Sequence, residues 1–385
     1  MKYHNLITSI FVGIAGILWM QSASAVPAFA AKYEKKCSSC HTAWPQLNLK
    51  GRAFKERGYR MESEIKEGTT SAVEVESLRS MFSTFLTARP YDKKDSGDVN
   101  LRAIQEVEVF VSGAIDDNFS GFLAIEAEDE NDFIAEVSTA TLAYRHSDEI
   151  NVQVSWSQVF EADPYSFLRN SLRLTRGRPS IIDQRFGSAD RLRDARQNLT
   201  LTGRVVEKLF YSLSYTGAPK SSEGVDASGI AARVAYDITE NIMIGALHWS
   251  GEEGADPANN IDATDYSRTG FDFQMDMAST RISGGYIQAT DDNPTVPGEE
   301  DNAAISVQAF HTVHTKSGKP TWVPLIRYDS YEKNDGKDQY DELTLNVGYY
   351  FQENAKGFVE FWQQLDTPTA IKDDNRLTLQ MQVGF

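Results

Sequence analysis

The closing residues of the chain alternate without a break. Leu377, Leu379, Met381, Val383 and Phe385 fall on one side of an extended strand, and Thr378, Gln380, Gln382 and Gly384 fall on the other. Successive side chains of a strand point to opposite faces, so this segment has one apolar and one polar face. The pattern recurs at Leu343, Leu345, Val347, Tyr349 and Phe351, against Thr344, Asn346, Gly348 and Tyr350. It recurs again at Ile150, Val152, Val154 and Trp156, against Asn151, Gln153 and Ser155. Segments of this texture are expected near 80–90, 100–115, 119–128, 133–146, 149–160, 197–206, 209–217, 228–237, 241–250, 266–277, 280–290, 302–314, 320–331, 339–351, 356–366 and 374–385, sixteen strands in all.

The connections between them also alternate. Asp116 to Asn118, Ser147-Asp148, Glu207-Lys208, Thr239-Glu240 and Lys316 to Gly318 are tight, whereas 91–99, 161–196, 218–227, 251–265 and 291–301 are long. An even number of antiparallel strands with short turns at one rim and long loops at the other is the architecture of a transmembrane β-barrel. A soluble antiparallel sandwich is the competing fold, but it would turn its polar face outward, and strands of about ten to fourteen residues suit a tilted bilayer span. The terminal Phe385 resembles the closing aromatic that bacterial outer-membrane barrels present to their assembly machinery.

Composition removes other classes. With 41% hydrophobic residues over 385 positions the chain buries a core and is not a disordered tail. The only long apolar run, Leu6 to Met20, is short of the ~18 to 20 residues of a spanning helix. A formal net charge of -17 repels phosphate backbones, so nucleic acid is not an expected partner. That first apolar run follows Lys2 and ends at the small-residue pattern Ala23-Ser24-Ala25, so residues 1–25 read as a cleaved export signal, with an uncleaved anchor as the alternative. A second small-residue site, Ala28-Phe29-Ala30, leaves the cut position open.

Both cysteines lie in one pentapeptide, Cys37-Ser38-Ser39-Cys40-His41. In an exported chain the pair suits a disulfide or a redox CxxC, yet the spacing and the adjacent histidine match the attachment motif of c-type haem. Two thiols on one turn form thioethers to both vinyl groups, and the histidine supplies the proximal ligand. One covalent haem c is therefore expected, held by Cys37, Cys40 and His41. After His41 the next histidine is His146, so Met61 is the candidate distal ligand, against a packing methionine and an iron left with water. Trp44, Phe54 and Tyr59 are the aromatics expected near the porphyrin. The basic stretch Lys50 to Tyr59 reads either as solvated helix charge or as a face docked against an acidic cavity wall.

One loop is anomalous. Segment 161–196 holds eight arginines and no lysine: Arg169, Arg173, Arg176, Arg178, Arg185, Arg191, Arg193 and Arg196. Counting the short connection between the strands near 119–128 and 133–146, it is the third at the long-loop rim, the one that typically folds inward in sixteen-stranded porins. Alternation points Glu106, Glu108, Glu126, Glu128 and Glu136 to the lumen, where facing arginines would set up a transverse field. A solvated or lipopolysaccharide-facing basic loop, and pairing of arginines with haem propionates, are the alternatives. The acids Asp92, Asp95, Asp98, Glu252, Glu253, Asp256, Glu299, Glu300 and Asp301 are assigned to outer loops, where they either concentrate cations or serve solubility.

Val26-Pro27-Ala28-Phe29-Ala30, Cys37 to His41, Pro45, Leu47, Gly51-Arg52, Phe54-Lys55 and Gly58-Tyr59 resemble the front end of the fused outer-membrane cytochrome-porin family of iron-oxidising bacteria. The detailed similarity covers roughly the first sixty residues. Lys50 departs from the aromatic that the family often has before Gly-Arg, and Tyr33 to Lys36 is more charged than usual. The resemblance implies a mainly β protein: signal peptide 1–25, a small α-helical monohaem cytochrome c domain at 26–75, and a 16-stranded outer-membrane barrel at 76–385. It further implies an electron-transfer protein with Fe(II) oxidase activity that takes electrons from an extracellular donor and passes them to a periplasmic c-type cytochrome or other carrier. A solute or anion-selective porin with a haem sensor or gate, and electron export to an extracellular acceptor, are the rival readings.

Overall fold

A computed structural model of the chain describes residues 28–67, 81–169, 172–186, 191–219, 226–255, 263–292 and 298–385. The export signal expected at 1–25 and the boundary expected near 75 lie outside the described residues.

The alternating segments close on themselves as sixteen strands: β1 Phe82–Lys94, β2 Val99–Ala114, β3 Phe119–Glu128, β4 Glu136–Arg145, β5 Asn151–Ser157, β6 Arg196–Val206, β7 Leu209–Pro219, β8 Asp226–Thr239, β9 Ile242–Ala255, β10 Thr264–Met277, β11 Thr280–Asp292, β12 Glu299–His311, β13 Trp322–Lys333, β14 Asp338–Gln352, β15 Ala355–Asp366 and β16 Asn375–Gly384. Each pairs antiparallel with its sequence neighbours, and β16 pairs with β1 to leave no free edge. Closure matters because hydrocarbon offers no partner to an unpaired strand edge. At the seam Thr84 and Phe385 exchange two backbone hydrogen bonds, at 2.6 and 2.9 Å.

Alternation decides which face meets lipid. Leu199, Leu213, Ile230, Val234, Ile244, Phe271, Ile326 and Val359 are exposed outside the barrel, whereas their polar neighbours Thr200, Ser212, Ser214 and Arg233 are buried inside it. The inversion, apolar outside and polar within, is what a bilayer as solvent selects. Among the described residues no helix is long and apolar enough to cross a membrane.

Several expected boundaries shift. β5 stops at Ser157, three residues before its expected end, because the chain there turns into the lumen. Arg196, assigned to the loop, is the first residue of β6, its guanidinium 4.3 Å from the Trp249 ring. The first long connection shrinks to 95–98, as β1 and β2 run further than their patterning suggests. Asp92 is therefore a buried lumen carboxylate bound to Arg176 at 2.8 Å, and Glu252, Glu253, Glu299, Glu300 and Asp301 belong to strand ends.

Two inserts fill the cylinder. From the long-loop rim, the β5–β6 connection folds inward and buries Val159, Phe160, Phe167, Leu168, Ile181, Ile182 and Phe186 against Trp249, Tyr266 and Ile287 of the wall. A short helix within it, Ser180–Asp183, is pinned by Ser180 N–H to Asp329 Oδ1 at 2.8 Å. From the opposite rim comes the N-terminal segment: α1 Ala28–Tyr33, a 3-10 turn Cys37–Ser39, a hairpin pairing His41–Ala43 with Gln46–Leu47, α2 Leu49–Glu56 and α3 Glu62–Glu67. The two inserts meet where Ala43 and Trp44 pack with Leu174 against Phe310, Val323, Leu325 and Tyr350.

Candidate functional site

The N-terminal segment is too small to hold itself together, and it is held by the barrel. The tight-turn rim, which faces the periplasm in bacterial barrels, grips it on all sides. Ala28 N–H donates to Ser83 Oγ at 2.8 Å, and Ser38 donates through its amide and hydroxyl to Glu353 at 3.2 Å. Arg60 donates to the Asp116 and Phe119 carbonyls at 2.5 and 2.7 Å. Arg204 holds Glu56 through two bonds at 2.6 and 3.0 Å, and Arg281 reaches the Leu47 carbonyl at 2.9 Å. Tyr350 Oη and Lys356 Nζ both donate to the Trp44 carbonyl, at 2.5 and 3.3 Å. The segment is a plug seated in the mouth of the cylinder.

Local chemistry shapes the cysteine-histidine turn. Cys40 N–H donates to the Cys37 carbonyl at 3.1 Å, which puts both thiols on one tight turn, and both cysteines are free. Asn48 caps α2 by accepting from Gly51 N–H at 3.0 Å, while its amide nitrogen donates to Ser39 O at 3.1 Å and its own backbone N–H donates to Cys40 O at 2.9 Å. That cap presses the helix onto the turn so closely that a Cβ at Gly51 would lie 2.2 Å from the Cys40 carbonyl oxygen. Glycine there is a steric requirement.

His41 is oriented by its neighbour. Its Nδ1 lies 3.0 Å from the Pro45 carbonyl. A carbonyl only accepts, so Nδ1 carries the proton and Nε2 keeps its lone pair for a metal. Burial pushes the imidazolium down to about 4, which keeps the ring neutral. The same effect, with Glu353 adding to it, pushes the Cys37 thiol up to about 11. The residues therefore fit covalent haem: paired thiols on one turn beside a neutral, tautomer-fixed imidazole. Met61 stands just before α3, where its amide donates to Glu64 Oε2 at 2.7 Å, and no hydrogen bond or ring contact among the described residues links it to His41. Phe54 packs on Phe29 and Tyr33 at 5.0 and 5.5 Å, Tyr59 stacks on Phe29 and Phe122, and Trp44 meets Phe85 at 4.8 Å. These aromatics hold the plug together and fasten it to the wall. Of the basic stretch, Arg52 and Lys55 face inward, the first 4.9 Å from the Tyr165 ring and the second 3.5 Å from Glu161.

Above the plug lies a cavity of about 480 Å³ with Trp44 and Pro45 among its lining. One wall carries Glu106, Glu108, Glu126 and Glu136, as the alternation requires. The register sets these acids side by side: Glu106 opposite Glu128, Glu108 opposite Glu126, and Glu126 opposite Glu136. Directly facing like charges cost roughly 0.2–1 kcal/mol per pair, so the arrangement calls for counter-charge. Arg173, Arg178, Arg185, Arg191 and Arg193 of the infolded loop line the same cavity and supply it. The field runs across the lumen. Among the described residues no group of three or more His, Cys, Asp or Glu is placed to hold a bare metal ion.

Sequence reasoning missed the arginines of the wall itself. Arg233 pairs with Asp163 and Asp272 at 3.0 and 2.5 Å, Arg268 with Asp291 at 2.6 Å, Arg281 with Asp276 at 2.5 Å, and Arg327 with Asp329 at 2.6 Å. They anchor the inserts: Arg268 also donates to Phe186 O at 2.7 Å, and Arg327 to Thr175 Oγ1 at 2.8 Å. The available signal was a single arginine at an inward position in each of four strands, on the side opposite the acids.

Neither a family model nor a curated protein matches the chain. Solved structures do match. The anion-selective porin of Comamonas acidovorans superposes with a TM-score of 0.62 at 12% identity, over 79% of this chain and 98% of that one. OmpF of Salmonella typhi gives 0.57 at 13%, covering 79% and 97%. The channel DcaP of Acinetobacter baumannii gives 0.56 at 11%, covering 79% and 95%. At such identities the likeness is one of fold: the chain carries a sixteen-stranded porin-type barrel, an architecture of the outer membrane.

Proposed function

We propose that the protein is an outer-membrane electron conduit. It carries one covalent haem c on Cys37, Cys40 and His41, oxidises an extracellular donor, Fe(II) by preference, and passes electrons to a periplasmic c-type cytochrome or other carrier. The observation that carries this reading is the bond from His41 Nδ1 to Pro45, because Pro45 also lines the floor of the lumen cavity. One residue thus belongs both to the orienting shell of the haem ligand and to the space that a donor enters from outside. Bound on these residues, a haem would supply a one-electron redox centre, which a barrel wall alone does not offer.

The chain's own residues do the rest. Arg60, Arg204, Arg281 and Tyr350 fix the plug to the rim. The Pro45 carbonyl orients the imidazole, and the facing acids and arginines above it admit a small charged donor without a tight complex. Ferrous citrate added to the oxidised, detergent-solubilised protein is expected to reduce the haem within seconds. Failure of that reaction, together with solute flux in planar bilayers, would favour the second reading.

The second reading is a solute channel, anion-selective through its arginines, with the haem segment as a sensor or gate. It is favoured by the five arginines lining the lumen cavity and by the resemblance in fold to a porin described as anion-selective. Electron export to an extracellular acceptor uses the same parts in the reverse direction. Met61 remains the candidate distal ligand.

A further inference from the structure

The plug is not sealed equally all round. A second cavity, of about 670 Å³, lies at the tight-turn rim between α2 and the wall, lined among others by Lys55, Tyr59, Ser120, Arg145, Thr202 and Arg204. It occupies the same side of the barrel as the acid-lined cavity above. Glu161 lines the upper cavity and Lys55 the lower. Between them stands an ion pair, with Lys55 Nζ 3.5 Å from Glu161 Oε1 and Glu161 Oε1 bound in turn to Arg169 at 2.5 Å.

Elsewhere on the perimeter Arg60, Arg281 and Lys356 reach backbone carbonyls as Lys55 does, but there Trp44, Phe85 and Tyr350 add packed aromatic surface. A long charged side chain yields more readily than packed rings, because swinging its head aside needs only rotamer changes. We propose that a water-filled path for small hydrated ions and polar solutes runs past the plug along this side of the barrel, closed at the Lys55–Glu161 contact. This inference deepens the channel reading and rests on it.

The surroundings of Lys55 give the closure a pH dependence. Its ammonium donates to the carbonyls of Glu161 and Asp163 and faces the Glu161 carboxylate, with Arg169 across from it. From its own segment Glu56 and Tyr59 stand near, Glu56 already bound to Arg204 of β6, while Arg233 of β8 holds Asp163. Burial first, and Arg169 second, push Lys55 down to about 7. Arg169 and Lys55 hold the Glu161 carboxylate below the ordinary range. As pH rises through neutrality Lys55 loses its charge while Glu161 remains ionised on Arg169, so the ionic part of the closure is lost and only the weaker hydrogen bonds of a neutral amine to the Glu161 and Asp163 carbonyls hold the side chain in place.

The test is conductance of the full-length, haem-loaded protein in planar bilayers of neutral lipid in potassium chloride. Wild-type conductance is expected to rise about tenfold between about pH 6 and about pH 8, following the neutral fraction of a group titrating near 7. Lys55→Met should show the high value at both pH values, and Lys55→Arg, which keeps its charge, the low value at both. Heat-modifiable migration and an unchanged haem spectrum check that each variant is folded. A measurable conductance that ignores Lys55→Met, Lys55→Arg and Glu161→Gln overturns the placement of the closure. No conductance from wild type or any variant overturns the channel reading beneath it.

Discussion

His41 Nδ1 and the Pro45 carbonyl lie 3.0 Å apart, across the short hairpin that pairs His41 with Leu47. Because the acceptor is a backbone atom in the turn of the same hairpin, four residues on, the tautomer of the ring is set by local chain geometry and not by a distant partner. His41→Ala is expected to abolish the native haem spectrum while Cys37 and Cys40 keep the porphyrin attached. The barrel should survive, read as heat-modifiable migration of the membrane fraction. Loss of the barrel along with the spectrum would contradict the plug's being a passenger of the wall.

Gly51 tests how tightly the turn is clamped. A Cβ there meets the Cys40 carbonyl oxygen at 2.2 Å, a backbone atom that cannot swing away. Gly51→Ala is expected to cost roughly 1–3 kcal/mol, the usual range for overpacking. The loss should appear in thermal melting followed at the haem absorbance, with the melting of the barrel unchanged.

Cys37 carries a pH signature in protein produced without haem attachment. Burial, with Glu353 adding to it, pushes its thiol up to about 11, so the reactive thiolate is scarce near neutrality and grows about tenfold per pH unit until that value. Maleimide labelling of Cys40→Ser is expected to accelerate steadily past the point where a free cysteine levels off, at about 8.5. A plateau near 8.5 would show that the turn is open.

The lumen field predicts the sign of selectivity. Removing arginine charge with Arg178→Ala should shift the reversal potential in a salt gradient toward cations, and Glu108→Gln with Glu126→Gln should shift it toward anions. The double change also relieves a directly facing like-charge pair, so the barrel should melt no lower than wild type.

Met61→Leu addresses the distal ligand. A thioether on the iron produces a near-infrared band and a raised potential. If both persist unchanged in the variant, Met61 leaves the ligand list.

Much of the barrel was legible because a two-residue period writes itself directly into the chain. Leu377 to Phe385 faces lipid on one side while Thr378 and Gln380 are buried on the other, and Glu106, Glu108 and Glu126 reach the lumen by the same rule. The infolding of the β5–β6 connection was legible from its length and its place as the third at the long-loop rim. The seating of the plug was not, since it depends on contacts such as Tyr350 to Trp44 and Ser38 to Glu353, more than three hundred positions apart. The short β5 was also hidden: Gln158 and Val159 continue a strand-like pattern, but the burial they find belongs to the lumen.

Gln46 of the plug donates to the Leu172 carbonyl of the infolded loop, across 126 positions of chain. These inserts enter from opposite rims of the barrel, and Ala43 and Trp44 of the plug share a core with Leu174 of the loop. Packing at Leu174 therefore bears directly on the hairpin that carries His41, without any strand having to move.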